Sequence, residues 1–130
     1  MATANLKQNT IVLDDGLDSI VIVNCLGDIP GGRTLDVSEV ASDVEVIKSG
    51  HILIQNTETK AVKPLGVTDG AYNTLPAKHS YLGVLKASVL KKDPRAAILT
   101  IGQVNAAASP YPVTEAIKTG LSNIQFINQI

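Results

Sequence analysis

The chain has 130 residues, of which 45% are hydrophobic and 18% charged, and its formal net charge is -1. That length fits one domain of average size, which can bury a core without disulfides or a structural metal. Eleven basic residues are balanced by twelve acidic ones, so the concentrated basic face that nucleic-acid binding requires is not expected. Aromatic residues, which supply the platforms for single-strand and sugar binding, make up only 3%.

Residues 1–32 predict an N-terminal arm that is partly extended. Two apolar stretches, Ile11–Leu13 and Ile20–Val23, flank an acidic turn, and the glycine-rich segment 27–32 predicts a hinge. Cys25 is the only cysteine and lies in an apolar run, where such a residue is usually a small buried hydrophobe. The polar start is unlike a signal peptide, and no apolar run approaches the roughly 20 residues that span a bilayer. We therefore expect synthesis in the cytoplasm and no membrane partner.

Residues 33–130 predict a compact β-rich domain. The apolar run His51–Gln55 and the segment Lys60–Leu65 predict one hairpin. Tyr81–Leu90 and Ala96–Val104 predict a second hairpin around a charged turn that contains proline, and 66–80 predicts a loop.

A single short helix is predicted near the C-terminus. Pro112 suits its first position, and Gly120 is placed to end it. Ile124, Phe126 and Ile130 then predict a last strand.

The sequence offers little for catalysis or metal binding. His51 and His79 are the only imidazoles, and no Gly-x-Ser-x-Gly elbow is present. The acidic stretch Asp14–Asp18 lacks the alternating ligands and final glutamate of a calcium loop. We therefore expect no catalytic residues, no cofactor and no metal site, and a protein that is not an enzyme.

Five segments follow one another in order between Pro30 and Ile117: Gly32–Val37, Ile47–Ile54, Tyr81–Leu85, Ala96–Asn105 and Ser109–Pro112. This ordered set resembles the decoration and head-fibre base proteins of tailed-phage heads. The resemblance implies a mainly β fold, a small β-barrel or β-tulip with one short C-terminal helix and an extended N-terminal arm. Three glycines in or beside these segments, Gly50, Gly83 and Gly102, predict places where strands bend or pack closely.

The resemblance also implies a function as a virion structural protein. Such a protein binds the outer surface of the capsid, with the major capsid protein as partner, and stabilises the shell by bridging capsid subunits. It implies a homo-oligomer, often a trimer, located on the virion after synthesis in the host cytoplasm. The candidate residues for capsid contact are Ile11, Val12, Leu13, Ile20, Ile22, Ile29 and Arg33.

Two alternatives remain open from the sequence. The apolar stretches of the arm either add a strand to a capsid sheet or are ordinary core strands of the same barrel. The protein is either a capsid decoration protein or a host-surface or glycan-binding module displayed on the virion, at the base of a head fibre.

Overall fold

The computed structural model of the protein describes residues 21–29, 32–40 and 42–127. They form twelve strands, with a 3-10 helix at Ala106–Ala108 and an α-helix, α1, at Glu115–Gly120. The strands are β1 (Ile22–Asp28), β2 (Arg33–Thr34), β3 (Val46–Ile47), β4 (Ile52–Asn56), β5 (Val62–Pro64), β6 (Val67–Thr68), β7 (Ala71–Tyr72), β8 (His79–Leu85), β9 (Val89–Leu90), β10 (Arg95–Ala96), β11 (Ile98–Asn105) and β12 (Ile124–Ile127). The prediction of a mainly β chain with one short C-terminal helix is confirmed.

The main sheet has six strands. Five follow the order β1-β11-β8-β4-β5, and β12 pairs in parallel with β11, whereas the other pairs are antiparallel. Within the described residues this sheet is open and does not close into the expected barrel. One end strand, β5, stops at Pro64, and because proline has no N–H to donate, it is suited to a sheet edge.

The first predicted hairpin is present as β4 and β5. Leu53 lies opposite Pro64, and Gln55 lies opposite Val62. The turn between them is held by Asn56, whose side-chain oxygen accepts hydrogen bonds from the backbone N–H groups of residues 58 and 59 at 2.8 and 2.9 Å. Such a turn, closed by an asparagine side chain, needs only local sequence.

The second predicted hairpin is more elaborate than a tight turn. β8 and β11 do pair antiparallel, through Leu85 with Ile98 and Val84 with Leu99. The intervening residues, however, leave the sheet as β9 and β10, which pair with β3 and β2. The predicted loop 66–80 also contains a two-stranded ribbon, β6 with β7.

Two hydrophobic clusters form the core. Strand β4 shows why there are two, since alternate side chains of a strand point to opposite faces. Ile52 and Ile54 belong to the first cluster and Leu53 to the second, and all three are completely buried. The first cluster also contains Val84, Leu99, Val104 and Ile117. The second also contains Leu35, Ile47, Val62, Leu85 and Ile98.

The three glycines predicted at crowded positions do lie where backbones approach closely. A Cβ on Gly83 would stand 2.2 Å from the carbonyl oxygen of Leu99, and one on Gly102 would stand 2.1 Å from that of Asn24. Gly50 has a φ of +94°, and a Cβ there would stand 2.7 Å from a Val21 methyl group. Side chains at these positions would push neighbouring segments apart.

Helix α1 starts later than the sequence predicts. Pro112 is not its first residue, because Thr114 is the N-cap and its hydroxyl accepts a hydrogen bond from the backbone N–H of Ile117 at 3.4 Å. Gly120 is the last helical residue, as predicted. The last strand is confirmed over Ile124–Ile127, whereas Ile130 lies outside the described residues.

Candidate protein-binding edge

Strand β1 forms one end of the main sheet. It pairs antiparallel with β11, from Ile22 opposite Val104 to Asp28 opposite Leu99. No strand within residues 21–29, 32–40 and 42–127 pairs with its other side. A strand in this position presents backbone N–H and C=O groups that can bind another chain.

The large hydrophobic side chains exposed in the described residues lie on β1 and on its neighbour β11. Leu26 is 70% exposed and Val23 40% exposed on β1, and Ile101 is 44% exposed on β11. Gly27 lies opposite Ile101. A Cβ on Gly27 would stand 3.3 Å from side-chain atoms of Ile101, so the glycine leaves room for that side chain. We call Val23, Leu26 and Ile101 the apolar edge patch.

The usual protections of an edge strand are only partly present. β1 contains no lysine, arginine or proline, and its one charged residue, Asp28, accepts a hydrogen bond from the Lys86 ammonium group at 2.9 Å. That hydrogen bond raises the pKa of Lys86. The pairing with β11 does shift register at three places, and such irregularities interrupt a regular ladder. Contact through the patch side chains is therefore favoured over addition of a long strand.

Three of the seven residues predicted to contact a capsid lie in the described part of the chain. Ile22 and Ile29 are partly buried and pack against the first and second core clusters, respectively. Arg33 is exposed, and its guanidinium donates to the carbonyl oxygen of Lys60 at 2.9 Å. These three do not form the apolar edge patch. Ile11, Val12, Leu13 and Ile20 lie outside the described residues.

The structure bears on two further expectations about this segment. Cys25 is exposed, so its predicted burial is wrong, because β1 is an end strand of the sheet that the described residues form. The glycine-rich hinge predicted from residue 27 begins too early, since Gly27 and Asp28 belong to β1. Residues 22–28 are thus part of the main sheet, whereas residues 1–20 of the arm predicted over 1–32 lie outside the described residues.

The two histidines are not brought together. His51 is buried beside the start of β4, and its Nε2 atom is 2.9 Å from the carbonyl oxygen of Leu65. His79 pairs with Asn56 at the other end of β4, about 16 Å away at strand spacing. Its Nδ1 atom is 2.9 Å from the carbonyl oxygen of Ala77. Each ring is thus bonded to the protein's own backbone.

The described residues contain no group of three or more His, Cys, Asp or Glu side chains placed to hold a metal ion. Nor does that part of the chain contain a helix with the length and apolar character needed to cross a membrane. The sequence matches no protein-family model, no curated protein and no solved structure.

Proposed function

We propose that this protein is a virion structural protein that binds the outer surface of a tailed-phage capsid through the apolar edge patch. Its partner is the major capsid protein, and its place is on the virion after synthesis in the host cytoplasm. It acts by binding and not by catalysis. The observation that carries this proposal is the exposure of Leu26 and Val23 on β1, a strand whose outer side has no described partner, and of Ile101 on the adjacent strand β11.

The family resemblance supports the choice of partner. The segments that carry it include parts of β4, β8 and β11, which form the centre of the main sheet. They also include Ser109–Pro112, which leads to α1. The scaffold that presents the edge is therefore built from the residues that resemble capsid decoration proteins.

The size of the patch favours several copies acting together. Covering the exposed parts of three aliphatic side chains contributes about 3 kcal/mol, which is too little for stable binding of a single copy. A homo-oligomer that places several edges against neighbouring capsid subunits gains affinity through multivalency. A trimer does this with three edges. Because the protein binds the assembled shell and not the separate subunits, its binding stabilises the shell. The gain is about 2.7 kcal/mol per site when the free protein is at 100 times its dissociation constant.

Co-sedimentation with expanded shells stripped of this protein tests the proposal. We expect saturable binding at a fixed ratio to the major capsid protein and a higher melting temperature of the shell. Leu26→Asp places a charge in the patch and should weaken binding at least 10-fold. The control Ser122→Asp places the same charge on an exposed turn beyond α1 and should bind as the wild type does. No binding of the wild type to expanded shells would contradict the proposal, and binding to host cells would then support the host-surface alternative.

A further inference from the structure

A second feature of the molecule is a partly open cavity of about 370 Å³ that lies between the segment after β2, strand β3, the end of β5 and the start of β6. Its volume falls in the range of small-molecule sites. None of the residues of the apolar edge patch lines it. The cavity is therefore a different surface from the proposed capsid contact.

Aliphatic side chains line part of the cavity. Val40, Val44, Ile47, Leu65 and Val67 contribute to its lining. Ile47 and Leu65 are themselves buried core residues, so this wall is held in place by the fold. An apolar group that enters the cavity leaves water and contacts a preformed surface.

Aromatic rings lie at one side of the cavity. His51 and Tyr111 line it, and their ring centroids are 5.7 Å apart with the planes nearly perpendicular. Tyr72 packs edge-on against both rings, at 5.3 and 5.4 Å. Burial lowers the pKa of His51, so this ring cluster is uncharged at neutral pH. Aromatic faces attract cations through their quadrupole.

The charged groups of the lining sum to one negative charge. Lys63 is paired with Glu39, at 2.6 Å between Nζ and Oε2. Lys63 also attracts the Asp36 carboxylate, so one cation is shared by two carboxylates. Its oxygen accepts the backbone N–H of Ser38 at 3.0 Å, which lowers the pKa of Asp36 and keeps it ionised. This balance opposes an anionic ligand and favours a cationic one.

We propose that the cavity binds a small organic cation, a primary ammonium group on an apolar body about the size of a phenyl ring. The body lies against the aliphatic wall and Tyr111, and the ammonium group lies near the Asp36 carboxylate. Neither the capsid nor the apolar edge patch takes part, so this site is independent of the proposed capsid binding.

Three probes of similar shape test the charge preference: 2-phenylethylamine, 2-phenylethanol and 3-phenylpropanoate. Titrations of the full chain are followed by NMR or calorimetry at physiological salt. We expect the amine to bind saturably, with a dissociation constant of about 1 mM. The alcohol should bind about 10-fold more weakly and the carboxylate more weakly still. Equal affinity for the amine and the carboxylate would overturn the proposal. So would the absence of saturable amine binding at about 10 mM, ten times the expected dissociation constant.

A matched pair of variants locates the site. Asp36→Asn keeps the side-chain oxygen that bonds Ser38 but removes the charge, and it should abolish the preference for the amine over the alcohol. Asp69→Asn removes a carboxylate that does not line the cavity, and it should leave both affinities unchanged. An amine affinity that is the same in Asp36→Asn as in the wild type would refute the assignment of this cavity. Shell co-sedimentation of Asp36→Asn should match the wild type, which keeps this test distinct from that of the capsid proposal.

Discussion

Replacing Gly83 with alanine should separate two central strands of the main sheet. The new Cβ would stand 2.2 Å from the carbonyl oxygen of Leu99 on the neighbouring strand, so the backbones must move apart by about 1 Å to restore ordinary contact. The pairing of β8 with β11 consists of two residue pairs. A displacement of that size stretches their hydrogen bonds beyond a useful length. Lost hydrogen bonds and loosened core packing together cost about 4 kcal/mol.

The control is Gly70→Ala, at a glycine with a φ of +77° and no atom within 4 Å of its added Cβ. Only backbone strain acts there, at about 1 kcal/mol. Urea and thermal unfolding followed by far-UV circular dichroism measure both variants. A difference of about 3 kcal/mol corresponds to roughly 12 °C in melting temperature for a domain of this size. If the two variants lost the same stability, close packing at Gly83 would not be what the fold requires.

Three further variants test other parts of the structure. Ile22→Asp should lower the free energy of unfolding by about 2–3 kcal/mol because Ile22 packs against the core. Leu26→Asp should change that free energy by less than about 0.5 kcal/mol. Equal losses in urea unfolding would contradict the assignment of Ile22 to the core and of Leu26 to the exposed side of β1. Thr114→Ala removes the N-cap of α1 and should cost about 1 kcal/mol, which Thr114→Ser should largely restore; no loss in the alanine variant would show that the cap is dispensable. Burial lowers the pKa of His51 below its ordinary value of 6.5. As the pH falls, the unfolded chain therefore takes up a proton on His51 before the folded chain does. The free energy of unfolding should be highest above about pH 6.5 and should fall as the pH drops below that value. Urea midpoints between pH 7.5 and 5 should lose this dependence in His51→Gln, and an unchanged slope would rule His51 out as its source.

The longer strands could be predicted from the sequence because their signals are local. β4, β8 and β11 are apolar runs bounded by turn residues, and the turn after β4 is closed by Asn56 itself. The ribbon of β6 and β7 also had a local signal, since Asp69-Gly70 is typical of a tight hairpin and both residues have positive φ. The ribbons of β2 with β10 and β3 with β9 had none. Strands of two residues show no periodicity, and their partners are distant in sequence.

The exposed edge could be predicted only in part. The apolar run of β1 was visible, but its exposure depends on which strand ends the sheet, and that follows from pairing with β11 far along the chain. Within this run Ile22 faces the core, whereas Val23 and Leu26 do not. The register irregularities of β1 separate these positions, and simple alternation cannot anticipate them. Ile101 was predicted as part of a strand, but its place beside Gly27 required the structure.

The most direct test of the central claim uses Cys25, the only cysteine of the chain, which is exposed on β1 between Val23 and Leu26. Its rate of alkylation by a maleimide is measured for the free protein and for the protein bound to shells, with mass spectrometry of the Cys25 peptide as readout. If the edge contacts the capsid, the rate on shells should fall at least 10-fold and recover when the protein is released. The same rate in both states, with binding confirmed by sedimentation, would show that the protein binds the shell through another surface.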